Sequence, residues 1–517
     1  MSHPRVSMEA TEQTLTPYST NSATSALPTL NRNLSATFAD ILDFVILPYV
    51  FVTSSKCSIS TTNEEDLRPA VVIVYGESSK WLMPTVGGRI RWPAVQQWIS
   101  DCSDQHQCAR SEPWEVPQGF RLIDVDDRRV VSKFPSASRL GRDIKFVALS
   151  YVWGTGSASK DDALLGSNSE ELAAPSGLGK IRVPKAVEDA MTVCRQLNQR
   201  FLWVDRFCIR QDDHGPDKQA QIIAMGDIFS SAEFTIIHAS GTSMHDPIAG
   251  VSTPREVIQL KVKACGLDFV LSPPKFMVAL QASKWIERGW TYQEAVLSRR
   301  KLFFTPFELW FECDNENAPY QREDQYPQFS FGQKKELYRI TDHSVGTTTF
   351  HHFVRHVEFY TPRSLTYQSD NLAAFMGILT TLYNGGPILH GLAEADFDQA
   401  LLWHCKAKHL SPADAIRFPS WSWASVNEAV SAPTIKDGLG FRAALVQWSY
   451  KDQNGELKIV QSKDDVRLGD KRDLTAGAYL LFAWWKGCIE PEVPADVKQL
   501  PTIERADADS TLRRPAI

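Results

Sequence analysis

The feature that most restricts the fold of this chain is an alternation of short apolar runs with helix-periodic segments between Lys145 and Cys313. Phe146 to Val152 is a short, mostly apolar run of strand length, the pattern of a buried strand. A Gly/Ser-rich stretch from Gly154 to about Gly179 reads as a loop. Pro184 then suits the first turn of a helix, and Val183, Val187, Ala190, Met191, Cys194 and Leu197 recur at helical spacing. Phe201 to Val204 is a second strand-like run, ended by Asp205. The polar turn Asp212 to Asp217 opens another helix, with Ile222, Met225 and Phe229 on one face, and Phe234 to Ala239 is a third run. Strand, helix, strand, helix, strand predicts the α/β class: a parallel sheet covered by helices. Lys301 to Thr305 and Glu308 to Glu312, split by Pro306, predict two more strands or a hairpin.

A chain of 517 residues exceeds one compact core, so several units are expected. Residues 1–36, rich in Ser, Thr, Asn and Pro, predict a disordered tail. Residues 37–142 read as a lead-in layer, 143–315 as the α/β domain, 327–495 as a mostly helical and irregular C-terminal region, and 496–517 as a polar tail. The net charge of −6, without a long Lys/Arg run, recommends neither nucleic acid nor an anionic membrane as a partner. The stretch Ile41 to Val52 contains Asp43 and Pro48 and is too short to span a bilayer. The amino terminus lacks the apolar core of a signal peptide, and nine scattered cysteines suit a reducing compartment, so a cytoplasmic location is expected.

Three segments carry polar groups just past an apolar run: Val147-Ala-Leu-Ser-Tyr-Val-Trp-Gly154, Leu202-Trp-Val-Asp-Arg-Phe-Cys-Ile-Arg-Gln-Asp-Asp213 and Arg288-Gly-Trp-Thr-Tyr-Gln-Glu294. Ligands of open parallel sheets collect outside the carboxyl ends of the strands. Ser150, Tyr151, Asp205, Asp212, Asp213 and Glu294 are therefore expected to line one crevice. In order and spacing the three blocks resemble the hallmark motifs of the fungal heterokaryon-incompatibility (HET) domain family. Arg182 to Ala190 and Met225 to Ala232 resemble its intervening helices, Cys102, His106 and Cys108 resemble a common lead-in, and Pro362 to Leu372 and Pro419 to Ser425 resemble stretches that often follow it. Arg206, Phe207 and Arg210 depart from the family pattern. The two guanidinium groups either favour an anionic ligand at the crevice or are surface variation.

The resemblance implies an effector of fungal self/non-self recognition and programmed cell death, acting through self-association or an incompatibility partner protein. It also implies distant kinship with the TIR domain, whose enzymatic members cleave the nicotinamide–ribose bond of NAD with a glutamate four residues after a tryptophan. Trp290 and Glu294 have that spacing. On this reading Glu294 is the catalytic carboxylate, and Ser150, Tyr151, Trp153, Asp205 and Trp290 bind the ligand. NAD is then a substrate, and no cofactor is required. A non-enzymatic interaction module and an accessory protein of a biosynthetic pathway are the alternatives. Glu294 has a plainer reading too, as an acid favoured in the first turn of a helix by its dipole.

The remaining chemistry-bearing residues are weaker candidates. Asp205 either holds a ribose hydroxyl or caps the turn after its strand. Asp212 and Asp213 lack a third metal ligand and suit a solvated turn. Cys102, His106 and Cys108 are three metal-ligand types close together without an evident fourth, so no metal is assigned. Gly154-Thr-Gly156 is only half a dinucleotide loop, since Ser159 stands where the third glycine belongs. Cys208, between apolar neighbours, reads as a buried, inert thiol.

Overall fold

A computed structural model describes residues 87–106, 114–132, 144–154, 163–213, 215–255, 276–315, 320–323, 348–405 and 418–432, with isolated residues and short strands outside them. The tails expected at 1–36 and 496–517, and loop positions 155–162 with Gly156 and Ser159, lie outside the described residues.

An eight-stranded sheet organises the molecule. Its strands, numbered in chain order within this sheet, are β1 (Leu122–Asp124), β2 (Arg129–Val131), β3 (Val147–Ser150), β4 (Phe201–Trp203), β5 (Thr235–His238), β6 (Arg300–Phe304), β7 (Leu309–Cys313) and β8 (Gln321–Arg322). The order across the sheet is β8-β7-β6-β5-β3-β4-β1-β2. The inner strands β6, β5, β3 and β4 are parallel, whereas β7 and β8 on one side and β1 and β2 on the other are antiparallel. The sheet is therefore mixed: a parallel core, as expected, with the expected hairpin at β6 and β7 and antiparallel strands added beyond the core on both sides. Both additions are hairpins: short turns return the chain antiparallel, while parallel neighbours need a crossover.

Helices, again in chain order, are α1 (Trp92–Asp101), α2 (Lys185–Gln196), α3 (Pro216–Ile223), α4 (Met225–Ser231), α5 (Gly289–Leu297), α6 (Thr349–Tyr360) and α7 (Ala373–Leu382). The apolar periodicity of α2 translates into burial of Ala186, Val187, Ala190, Met191, Val193 and Cys194. The single helix expected around Ile222, Met225 and Phe229 is instead two, broken at Ala224. The break lets α4 bury Met225, Ile228 and Phe229 while Ile223 stays exposed.

Alternation along the parallel strands divides the interior into two cores. Ile236, Leu302 and Phe304 join α2 and α4 on one face, while Ile237 and Phe303 point into the other. The second core is built from α5 together with α6, α7 and the segment Trp421–Val430. The described segments 348–405 and 418–432 thus cover the second face of the sheet. Tyr360, Phe375 and Trp423 form its centre, with ring centroids 4.9 Å apart for Tyr360 and Phe375 and 5.2 Å apart for Phe375 and Trp423. Among the described residues no helix is long and apolar enough to cross a membrane.

Candidate functional site

In the inner sheet, β3 lies between β4 and β5: the first crossover runs from β3 to β4 on one side, and the next returns past β3 to β5 on the other. Such a switch of direction opens a crevice at the carboxyl ends of the strands. Ser150 closes β3, and Tyr151 to Trp153 continue past it. Asp205 follows β4 by two residues and opens the helical turn Asp205–Cys208.

The Asp205 carboxylate gathers three donors. Tyr151 donates its hydroxyl to Oδ1 at 3.1 Å, the Trp153 indole N–H reaches Oδ2 at 3.0 Å, and the backbone N–H of Arg206 reaches Oδ1 at 2.7 Å. The sequence left open a ligand contact or a cap for Asp205. Its observed bonds make it an organiser of Tyr151 and Trp153 as well as a cap on its own turn. Burial nevertheless holds its carboxyl above the usual range, against the pull of those donors and of Arg288. Burial and the neighbouring Asp205 also push the Tyr151 hydroxyl well upward.

Glu294 comes from α5, on the second face of the sheet. It lies in the second turn of the helix, whose first turn holds no acid, so helix-dipole stabilisation at the first turn does not account for it. Part of the residue remains open at the surface, but its carboxyl is withdrawn from water, which raises its pKa from 4.5 to about 8. The negative Asp205 adds to that rise, while Arg288 and a hydrogen bond from the Ser150 hydroxyl oppose it. Ser150 is fully buried and accepts the Trp285 indole N–H at 2.7 Å. A Ser150 oxygen so engaged is turned to present its proton to Glu294.

Ser150, Tyr151, Trp153, Asp205 and Glu294 are thus linked through hydrogen bonds and mutual electrostatics. Trp290 lies one helical turn before Glu294 and packs, half-buried, against both cores. Asp212 and Asp213 do not join this group. The Asp212 carboxylate accepts the Gly166 N–H at 3.0 Å, and Asp213 accepts the Gly215 N–H at 2.7 Å while pairing with Arg210 at 3.0 Å. Both shape the polar turn before α3. Arg206 is buried, with its guanidinium 5.1 Å from the centre of the Trp153 ring, so it is not surface variation. Cys208 is buried, accepts the Val204 N–H, and has its thiol pushed up to about 12 by desolvation, as suits an inert thiol.

Two residues of the site were missed in the sequence. Arg288 acts electrostatically on Tyr151, Asp205 and Glu294 together. Its signal was present: a cation inside the block whose one carboxylate is Glu294. Trp285 had no such signal, because its partner Ser150 is 135 residues away.

The C-terminal region holds α5 in place. Gly289 N–H donates to the Ser364 carbonyl at 2.8 Å, and Ser364 N–H returns a bond to the Glu287 carbonyl at 2.6 Å. A Cβ on Gly289 would lie 2.6 Å from Leu365. Gln293, beside Glu294, accepts the Gly377 N–H of α7 at 2.8 Å.

Comparison with known proteins places the site in context. Residues 146–294 match the family model described as Heterokaryon incompatibility protein (HET). That segment begins at Phe146, before β3, and ends at Glu294, so it contains all six candidate residues. Heterokaryon incompatibility protein 6, OR allele, of Neurospora crassa is 28% identical over 102 residues, covering 18% of this chain. The matched stretch spans 14% of that protein's length. No solved structure matches the chain.

Proposed function

We propose that this chain, whose residues 146–294 match the HET family model, is an effector of fungal heterokaryon incompatibility, acting by cleavage of NAD. The observation carrying this reading is the convergence of Glu294, Ser150 and the Asp205-organised pair Tyr151 and Trp153 at the carboxyl edge of β3 and β4. The kinship with TIR enzymes implied by the spacing of Trp290 and Glu294 belongs to the same proposal.

The chemistry needs little beyond this group. The bond between ribose C1′ and the nicotinamide nitrogen breaks, and its electron pair leaves with the nicotinamide, whose ring becomes neutral. The ribose is left as an oxocarbenium ion, which the ionised Glu294 carboxylate stabilises. Water then adds at C1′ and loses a proton, yielding ADP-ribose and nicotinamide. Ser150, fixed by Trp285, orients the carboxylate, and Trp153 and Trp290 offer flat faces to the rings of the substrate. Arg288 and Arg206 supply positive charge suited to the diphosphate.

Incubation of the purified full chain with NAD, with chromatographic detection of nicotinamide, tests the proposal. Wild-type protein is expected to release nicotinamide, and Glu294→Gln to reduce the rate by about 100-fold or more with its circular dichroism unchanged. Absence of release from concentrated wild-type protein would sink the enzymatic reading in favour of a non-enzymatic interaction module.

The pH profile is a second check. The ionised carboxylate is the working form, and in the free protein it forms only as pH rises through about 8. kcat/KM is therefore expected to climb with pH through that region. Bound NAD brings a positive nicotinamide ring near the carboxylate and favours its ionisation, so the limb in kcat falls at lower pH. A kcat/KM that is flat between neutrality and that region contradicts the assignment of Glu294.

A further inference from the structure

Cys102, His106 and Cys108 form a C-x3-H-x-C segment, to which the sequence offered no fourth ligand. Helix α1 runs directly into a π-helical turn, Cys102–His106, a rare backbone form that recurs at functional positions. This turn brings the segment against the end of β7, where Cys313 stands. The ligand atoms of Cys102, Cys108 and Cys313 all lie within 4.8 Å of one another. All three residues are buried, with relative exposures of 1%, 8% and 2%, and none is in a disulfide. The His106 Nδ1 atom is 3.5 Å from the Cys313 sulfur.

We propose that Cys102, His106, Cys108 and Cys313 form a structural zinc site that fastens the lead-in segment to the sheet. The three sulfurs are grouped closely enough for the ion, while His106 lies outside that 4.8 Å group and must turn in from beside Cys313 to complete the shell. Tetrahedral zinc, with bonds of about 2.3 Å to sulfur and about 2.0 Å to nitrogen, sets sulfurs about 3.8 Å apart and a sulfur–nitrogen pair about 3.5 Å apart. Three cysteines and one histidine fill a closed coordination shell and leave no position for substrate, the pattern of a structural site. Zinc with three thiolates carries a net charge of −1, and the buried Arg300 acts electrostatically on Cys102 from the neighbouring strand. Two guanidinium nitrogens of Arg300, Nε and one Nη, are buried without a hydrogen-bond partner. Among the described residues no other group of three or more histidine, cysteine or acidic side chains has ligand atoms this close.

The location agrees with a structural role. Cys313 is paired across the hairpin with Arg300, at the amino end of the parallel strands. Ser150 and Asp205 lie at their carboxyl ends. The ion therefore stands apart from the proposed reaction, and its test does not depend on NAD chemistry.

The full chain, purified without chelator from zinc-supplemented cells, is analysed by elemental mass spectrometry. One zinc per chain is expected, lost in Cys313→Ser and retained in Cys194→Ser, whose thiol is buried in the same core but outside the cluster. X-ray absorption on the wild-type protein provides a readout that survives poor folding of the variant. Three sulfurs at about 2.3 Å with one nitrogen at about 2.0 Å are expected. Metal-free wild-type protein, full zinc retention in Cys313→Ser, or a shell without sulfur would each overturn the proposal.

Discussion

At the residue scale the site turns on two carboxylates with different surroundings. Asp205 has three donors on its oxygens, whereas Glu294 receives the Ser150 hydroxyl and faces the charge of Asp205. Removing the Asp205 carboxylate leaves a tyrosine hydroxyl and an indole N–H without acceptors, at a cost of about 1–3 kcal/mol. Asp205→Ala is therefore expected to lower the unfolding free energy by that amount, seen as a lower urea midpoint at unchanged slope, and to disorder Tyr151 and Trp153. Glu294 makes a prediction of opposite sign. Its acid form is favoured in the fold, so between 4.5 and about 8 the folded state keeps a proton that the unfolded state has lost. Stability is then lost as pH rises through this window, and the loss is complete above it. Glu294→Gln abolishes the effect, so its melting temperature relative to wild type should rise between about pH 5 and about pH 9. A difference that does not change with pH would show that the carboxyl is not desolvated.

At the scale of elements, the position of α5 is set by close backbone contacts. Gly226 of α4 and Gly377 of α7 face each other across the Leu297 side chain: a Cβ on Gly226 would lie 3.2 Å from the Gly377 Cα and 2.8 Å from Leu297. A Cβ on Gly377 would lie 2.9 Å from both Leu297 and the Gln293 oxygen that accepts its N–H. Gly377→Ala is expected to cost about 1–3 kcal/mol through overpacking. It should also impair the site, because Gln293 and Glu294 are consecutive on α5. A variant that loses stability but keeps full NAD turnover would separate the packing of α7 from the placement of Glu294.

At the scale of the molecule, the described C-terminal region is part of the core. Ala295, Val296 and Leu297 of α5 pack with Phe353, Phe375, Ile378 and Trp423 in one apolar cluster. A chain truncated after Glu323 would expose that face, and each large side chain uncovered forfeits about 1.5–3 kcal/mol. Such a truncation is expected to be insoluble, or to bind a hydrophobic dye without a cooperative melting transition. A soluble, cooperatively melting fragment would refute this account. The segments Pro362 to Leu372 and Pro419 to Ser425, noted in the sequence for their resemblance, gain a physical role here. The first clamps the start of α5, and the second packs Trp423 into the cluster with its indole N–H on the Gly391 carbonyl at 2.9 Å.

Local pattern alone determined much of this protein. Strands β3, β4 and β5 and helix α2 could be read directly, because burial on both faces of a strand and along one stripe of a helix leaves a short-range period. The convergence of Ser150, Tyr151 and Asp205 was legible for a related reason: residues just past parallel strands share one edge of the sheet. Glu294, on the helix before β6, was reached through its motif instead. Tertiary structure decided what depends on pairing over long separations. The antiparallel pairing of β1 with β4, the Trp285–Ser150 bond, the clamp on α5 and the approach of Cys313 to Cys102 and Cys108 leave no periodic trace. Each joins segments whose order and register are set only when the sheet assembles, so no window of sequence contains both partners.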